Sequence, residues 1–199
     1  AWAIALTMFG LASLAAAAGM LGAWTASWFR VYYLFGAVVN VPVLGLGTVY
    51  LLAGRRAGAW CGVVVALVTV AASVLVFASE LQPGAVEAFA TEGIPAGSQV
   101  MSEGIRLLAR VCSFAGFFVV VGGALWSAWN LAHQKHAHLA RLVGANLLIA
   151  GGTIVVALGS GFAFYGRGLP FALGLLAGVS LMFSGFLRAR PPAAARANA

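Results

Sequence analysis

Six stretches of this chain, 2–25, 31–52, 59–79, 106–131, 140–164 and 168–187, each run for roughly twenty residues with few or no charges. A backbone in hydrocarbon has to satisfy its own polar groups, and a helix of about 20 residues does so while crossing a core of about 30 Å. The runs therefore predict an all-α, polytopic integral membrane protein: a single bundle of six transmembrane helices over 1–187, then a tail, 188–199, of Pro and small residues. A soluble fold is excluded by composition, since 8% of residues are charged and 63% hydrophobic, where soluble domains carry about a quarter charged. Within the first run, SLAAAAGM resembles the end of a signal peptide. No basic segment precedes it and the run stays apolar to Trp24, so a retained first helix is expected.

Charge orients the six-span arrangement. Arg55, Arg56, Lys135, Arg141, Arg188, Arg190 and Arg196 fall on one side, and Arg30, Arg106, Arg110 and Arg167 on the other. All four acids, Glu80, Glu87, Glu92 and Glu103, join the second group. The positive-inside rule then predicts both termini inside, the connection 80–105 outside, and a bacterial-type plasma membrane as the location. Trp and Tyr agree with these ends. Trp2, Tyr50, Trp60, Trp126 and Trp129 fall near the predicted inner boundary, and Trp24, Trp28, Tyr32, Tyr33 and Tyr165 near the outer one, as an aromatic belt requires. The net charge of +7 is absorbed by this asymmetry, and no basic patch of the kind that meets nucleic acid is present.

Every histidine sits in HQKHAHLAR, 133–141, on the expected cytoplasmic face. His133 and His136 are spaced to share a helical face, while His138 points elsewhere. No carboxylate lies on that side, and the spacing matches no zinc pattern even with Cys61, so we read a basic connector that meets anionic headgroups rather than a metal site. Cys61 and Cys112 lie in separate apolar runs and make neither a disulfide framework nor a CxxC pair. No Asp occurs in the chain and no Glu or His falls at midspan, which removes the residues for a proton relay, a haem pair or an aspartyl protease. No cofactor is expected and no catalytic constellation is found.

Two groups of polar residues remain. The second run, YYLFGAVVNVPVLGLGTVYLL, places Asn40 near the bilayer centre, two residues before Pro42, which has no N–H for the Val38 carbonyl and crowds it. A kink or unwound stretch is expected there. With Thr48 on the same run, and Asn146 and Thr153 on the fifth, it forms a candidate intramembrane polar site. Asn as glue between helices and Gly as a close-packing device are the plainer reading, extended to GxxxG at Gly58–Gly62 and Gly174–Gly178. LGLGTVYLL and IAGGTIVVA form a faint internal echo. At the outer rim, Glu103, Arg106 and Arg110 share one helical face, with Glu80 across the loop, as an ion-pair network, a snorkelling pair or an anion site.

The expected role is non-enzymatic: an accessory, assembly or structural subunit that meets the lipid bilayer, other membrane proteins or copies of itself through helix–helix and outer-loop contacts. The alternative is a small-solute or ion transporter or channel that works the kinked second helix against the fifth.

Overall fold

The computed structural model describes residues 1–22, 24–82, 84, 93–95, 97–133, 139–164 and 168–189. In chain order its helices are α1 (Trp2–Gly22), α2 (Ala26–Tyr33), α3 (Asn40–Leu52), α4 (Gly54–Ala78), the single turn α5 (Gly97–Val100), α6 (Glu103–Ala132), α7 (Leu139–Phe164) and α8 (Gly168–Ala189). A turn of π-helix, Leu34–Val38, joins α2 to α3 into one span. No strand occurs among the described residues. Among the described residues six helices are long and apolar enough to cross a membrane: Trp2–Gly22, Ala26–Leu52, Gly54–Ala78, Glu103–Ala132, Leu139–Gly161 and Leu169–Ala189.

Two boundaries differ by five residues from those read from the sequence. The second span starts at Ala26 rather than 31, because the Thr25 hydroxyl caps it by accepting from the Trp28 N–H at 3.3 Å. Arg30 thus belongs to a helix rather than a connection. The second difference is at the corner between α3 and α4, which the sequence reads as the connection AGRRAG. It closes on Ala53 alone, because Gly54 takes φ 81°, a left-handed conformation that a side chain disfavours. Arg55 and Arg56 therefore begin α4.

Glycines decide which helices meet. Along α7 and α8, Gly159 lies against Gly174, Gly152 against Gly178, and Ala145 against Gly185, an antiparallel register. A Cβ on Gly174 would come within 2.7 Å of the Gly159 Cα. On α6, Gly116 takes the backbone of Val41 and Pro42, and Gly123 takes Thr48 and Leu52, so α3 and α6 run parallel. Tyr50 lies over Gly58 where α3 meets α4, and Gly62 approaches the Tyr50 hydroxyl. Trp2 covers Gly47, and Ala12 approaches Gly36, where α1 meets the second span.

The expectation of one bundle needs refinement. Among the described residues α8 packs substantially on α7 alone, α7 on α6, α6 on α3, and α3 on α4 and α1. The helices form an open row rather than a ring. The reason lies in which side chains each helix offers: α8 turns its glycines to α7 and keeps Leu169, Leu173, Leu176 and Phe183 outward, while α4 keeps Trp60, Val63, Val64, Leu67 and Val70 outward. Such faces are satisfied by lipid as well as by protein.

The largest buried cluster sits at the end that carries the Glu80–Ser102 connection, here the loop end. Trp24, Phe29, Tyr33, Leu34, Val38, Val76, Val100, Met101 and Ile105 meet there. Part of the connection folds onto it. Pro95 is fully buried, the Trp24 indole N–H donates to the Gly93 carbonyl at 2.8 Å, and Gln82 N–H donates to the Val100 carbonyl. A smaller cluster, Val120, Ala124, Ile149 and Ala150 with Trp2 and Leu44 against it, holds α1, α3, α6 and α7 together nearer the opposite, basic end.

Candidate functional site

The break in the second span is realised as the π-turn. Val39 N–H reaches back five residues to the Leu34 carbonyl at 3.0 Å, which widens the helix just before Asn40 and Pro42. Widening leaves carbonyls short of donors, and one finds its donor on another helix: the Ser113 hydroxyl of α6 donates to the Ala37 carbonyl at 2.7 Å. Gly116, one turn further along α6, lets that helix lie directly on the Val41–Pro42 peptide. The kink is therefore built by both helices. Pro42 removes a donor, Ser113 supplies one, and Gly116 removes the obstacle.

Asn40 stands at the middle of the span Ala26–Leu52. It is half-buried and its carboxamide has no hydrogen-bond partner among the described residues. Thr48 is buried against Gly123. Thr153 is buried and donates to the Ile149 carbonyl of its own helix at 2.8 Å. Asn146 donates to the Ser127 hydroxyl at 2.9 Å, tying α7 to α6. The five residues read together from the sequence thus divide. Thr48 packs on α6, Asn146 bonds to α6, and Asn40 alone presents unused polar atoms at mid-depth. Spans two and five share no substantial packing, because span four stands between them.

At the loop end Arg110 reaches back along α6 to Glu103, 3.4 Å from guanidinium nitrogen to carboxylate oxygen, and its Nε donates to the Arg106 carbonyl. The pair is open, with 55% of the Arg110 side chain and 80% of the Glu103 side chain accessible. Glu80 is exposed and joins no ion pair among the described residues, and Arg106 is half-buried and makes no side-chain hydrogen bond or ion pair among them.

Arg30 meets the backbone of another helix: its Nη2 donates to the Ser79 carbonyl at 2.8 Å. Ser79 caps the C-terminus of α4, where the helix dipole and unsatisfied carbonyls favour positive charge. The Arg30 Nε is buried without a partner. Neither this latch nor the Ser113 bond is signalled by local sequence, since each joins positions far apart in the chain.

The His133 ring packs on Trp129 with centroids 4.4 Å apart, and its Nδ1 lies 2.8 Å from the Trp129 carbonyl. His136 and His138 lie outside the described residues, as do Lys135, Glu87, Glu92, Arg167, Arg190 and Arg196. Among the described residues no three of His, Cys, Asp or Glu are grouped so as to hold a metal ion. Cys61 is exposed on α4, and Cys112 is buried on α6. No family model matches this chain, and neither a curated protein nor a solved structure proves similar to it.

Proposed function

We propose that the chain is a non-enzymatic integral membrane protein that serves as an accessory or assembly subunit, holding neighbouring membrane proteins or further copies of itself by lateral helix contact. The observation that supports this reading is the open row. Glycines close the α7–α8, α3–α6 and α3–α4 contacts inside it, while the flanks α4 and α8 remain uncovered along most of their length. A row of this kind encloses no path by itself and offers two long sides to a partner. The basic end, with Arg55, Arg56 and Arg188, faces the cytoplasm in this reading and meets anionic headgroups of a bacterial-type plasma membrane.

Isolation of the full chain in mild detergent tests it: stoichiometric membrane-protein partners are expected, and a chain recovered alone as a monomer counts against it. Orientation is tested in sealed cells with reporter cysteines, where one at Ala90 is expected to react with an outside reagent and one at Ala137 is not.

A second reading is transport of a small solute or ion. The π-turn beside Asn40 favours it, because interrupted helices at mid-depth are where transporters place their sites. It needs an enclosing surface that the open row lacks. A defined homo-oligomer without other partners is the result that would favour it.

A further inference from the structure

The basic end holds cations and, among the described residues, no acid. All four acidic side chains of the chain fall between positions 80 and 103, and the two described, Glu80 and Glu103, stand at the loop end. The α7–α8 seam brings two of the cations together. Gly185 lies on the Ala145 carbonyl and the helices run antiparallel, so Arg188 stands level with position 142, and Arg141 is one residue beyond, a step of about 1.5 Å. Both side chains are exposed, and neither makes a hydrogen bond or an ion pair among the described residues.

They also share a flank of that seam. Ala145 faces α8, and around α7 from it Gly144 lies about 100° to one side and Arg141 about 40° to the same side. The Arg188 guanidinium is on that side too, with its Nη1 3.9 Å from the place a Gly144 Cβ would take. Asn146, about 100° to the other side, is bonded to Ser127, so α6 occupies the opposite flank. Among the described residues α8 packs substantially on α7 alone, so no further helix covers the arginine flank. Deeper in the span this flank stays low. A Cβ on Gly151, two turns on from Gly144, would meet nothing within 4 Å, and on α8 the line from Arg188 continues through Ser184 and Ala177, both exposed and both small.

We infer that Arg141 and Arg188 form a site for the phosphate of an anionic phospholipid, whose acyl chain lies along the low flank between α7 and α8. Two guanidinium groups from neighbouring helices, at one level and on one side, offer forked donors to a single phosphate. Gly144 lets the Arg188 head lie close against α7, where any larger side chain would hold it off. Arg141 stands in the first turn of α7, where the helix dipole disfavours a cation, so a bound anion relieves both. A free phosphate would meet the same donors; the apolar flank that continues into the span is what selects a lipid. The inference rests on the reading that the basic end meets anionic headgroups and narrows it to one place. It does not need the assembly role.

The test is native mass spectrometry of the purified full chain in detergent, titrated with dioleoyl phosphatidylglycerol or dioleoyl phosphatidylcholine. The first phosphatidylglycerol is expected to bind about tenfold more tightly than phosphatidylcholine, whose choline brings a cation to the arginines. Arg141→Gln and Arg188→Gln are each expected to weaken that first binding about tenfold, the loss of one charge-assisted contact, while Arg55→Gln, which removes the same charge from α4, changes it less than about twofold. Gly144→Leu keeps both charges and fills the flank; it is expected to weaken binding likewise and serves if an arginine variant is not recovered folded. Equal losses in Arg55→Gln and in the Arg141 and Arg188 variants overturn the site and leave the general attraction to headgroups standing. No preference for phosphatidylglycerol in the parent chain removes both. Displacement of the bound lipid by millimolar inorganic phosphate overturns the lipid as ligand and gives the arginines to a free anion.

Discussion

Gly116→Ala tests the crossing that creates the kink. A Cβ placed on Gly116 falls 2.5 Å from the carbonyl carbon and oxygen of Val41 and 2.7 Å from the Pro42 nitrogen. Ordinary contact begins near 3.4 Å, so α3 and α6 would have to part by up to 0.9 Å at this level. Those atoms are backbone, held by the Ser113 bond on one side and the proline ring on the other, and cannot swing aside as a flexible side chain can. Overpacking of this kind costs about 1 to 3 kcal/mol. Replacing a helical Gly by Ala gains up to about 1 kcal/mol, which would blur the result if Gly116→Ala were measured alone.

Gly122→Ala removes that ambiguity, because it sits on the same helix and its Cβ would meet nothing within 4 Å. The propensity gain is common to both, so their difference isolates the crossing. For a chain of this size roughly 2 to 4 °C accompany each kcal/mol, so thermal unfolding in detergent should place Gly116→Ala about 2 to 12 °C below Gly122→Ala. Unfolding temperatures within about a degree of each other would refute the reasoning, since they would mean that the helices do not touch at Gly116.

Three further outcomes are expected. Ser113→Ala leaves the Ala37 carbonyl without its donor in an apolar setting and should cost about 1 to 3 kcal/mol in the same unfolding assay. Ser160→Ala is its control: that hydroxyl is exposed and bonds its own helix at Val156, so the two should not match. A double-mutant cycle on Glu103 and Arg110 should give less than about 1 kcal/mol, because the pair is open to its surroundings, with Arg110→Lys nearly silent; coupling above about 2 kcal/mol would mean the pair is enclosed. A cycle on Ser127 and Asn146 should give about 0.6 to 1.7 kcal/mol of coupling between α6 and α7, and none at all would show that their hydrogen bond contributes nothing in place.

The number and placement of the spans were legible because hydrocarbon thickness imposes a length that few other structures need. Neighbour relations were not. The α1 and α7 sequences are apolar all round, so periodicity cannot say which face is inward. The start of the second span was misplaced for a related reason. Arg30 reads as a polar connection, whereas the Thr25 cap starts the helix before it and a bond to the Ser79 carbonyl, across 49 positions of chain, gives its charge a partner there. Asn40 and Pro42 announced an irregular helix by themselves. That Ser113 and Gly116 answer it from 76 positions away was beyond any local pattern, because Ser and Gly are common in membrane helices and carry no address.

The aromatic residues show how a correct positional signal can hide two causes. Trp and Tyr do concentrate toward the ends of the spans, and a headgroup belt explains Trp28, Tyr50, Trp60, Trp126 and Trp129, which are exposed. It does not explain Trp24 and Tyr33, which are 3% and 7% accessible, nor Trp2, whose indole nitrogen is buried. Each of these three lies on a glycine from another element or turn: Trp24 on Gly19, Tyr33 on Gly97, Trp2 on Gly47. A flat ring needs a flat floor, and glycine provides one where any side chain would stand in the way. Tyr50 combines both roles, exposed along one edge and seated on Gly58 with the other. Packing alone would tolerate such rings at any depth, whereas Trp and Tyr also carry a polar edge that is best met near water or loop backbone, as the Trp24 bond to Gly93 illustrates. The same polarity holds Trp24 at its span end, whereas the Trp2 indole nitrogen is buried without a partner and that ring is placed by its packing on Gly47; the glycine seats separate the rings that join helices from those that meet lipid.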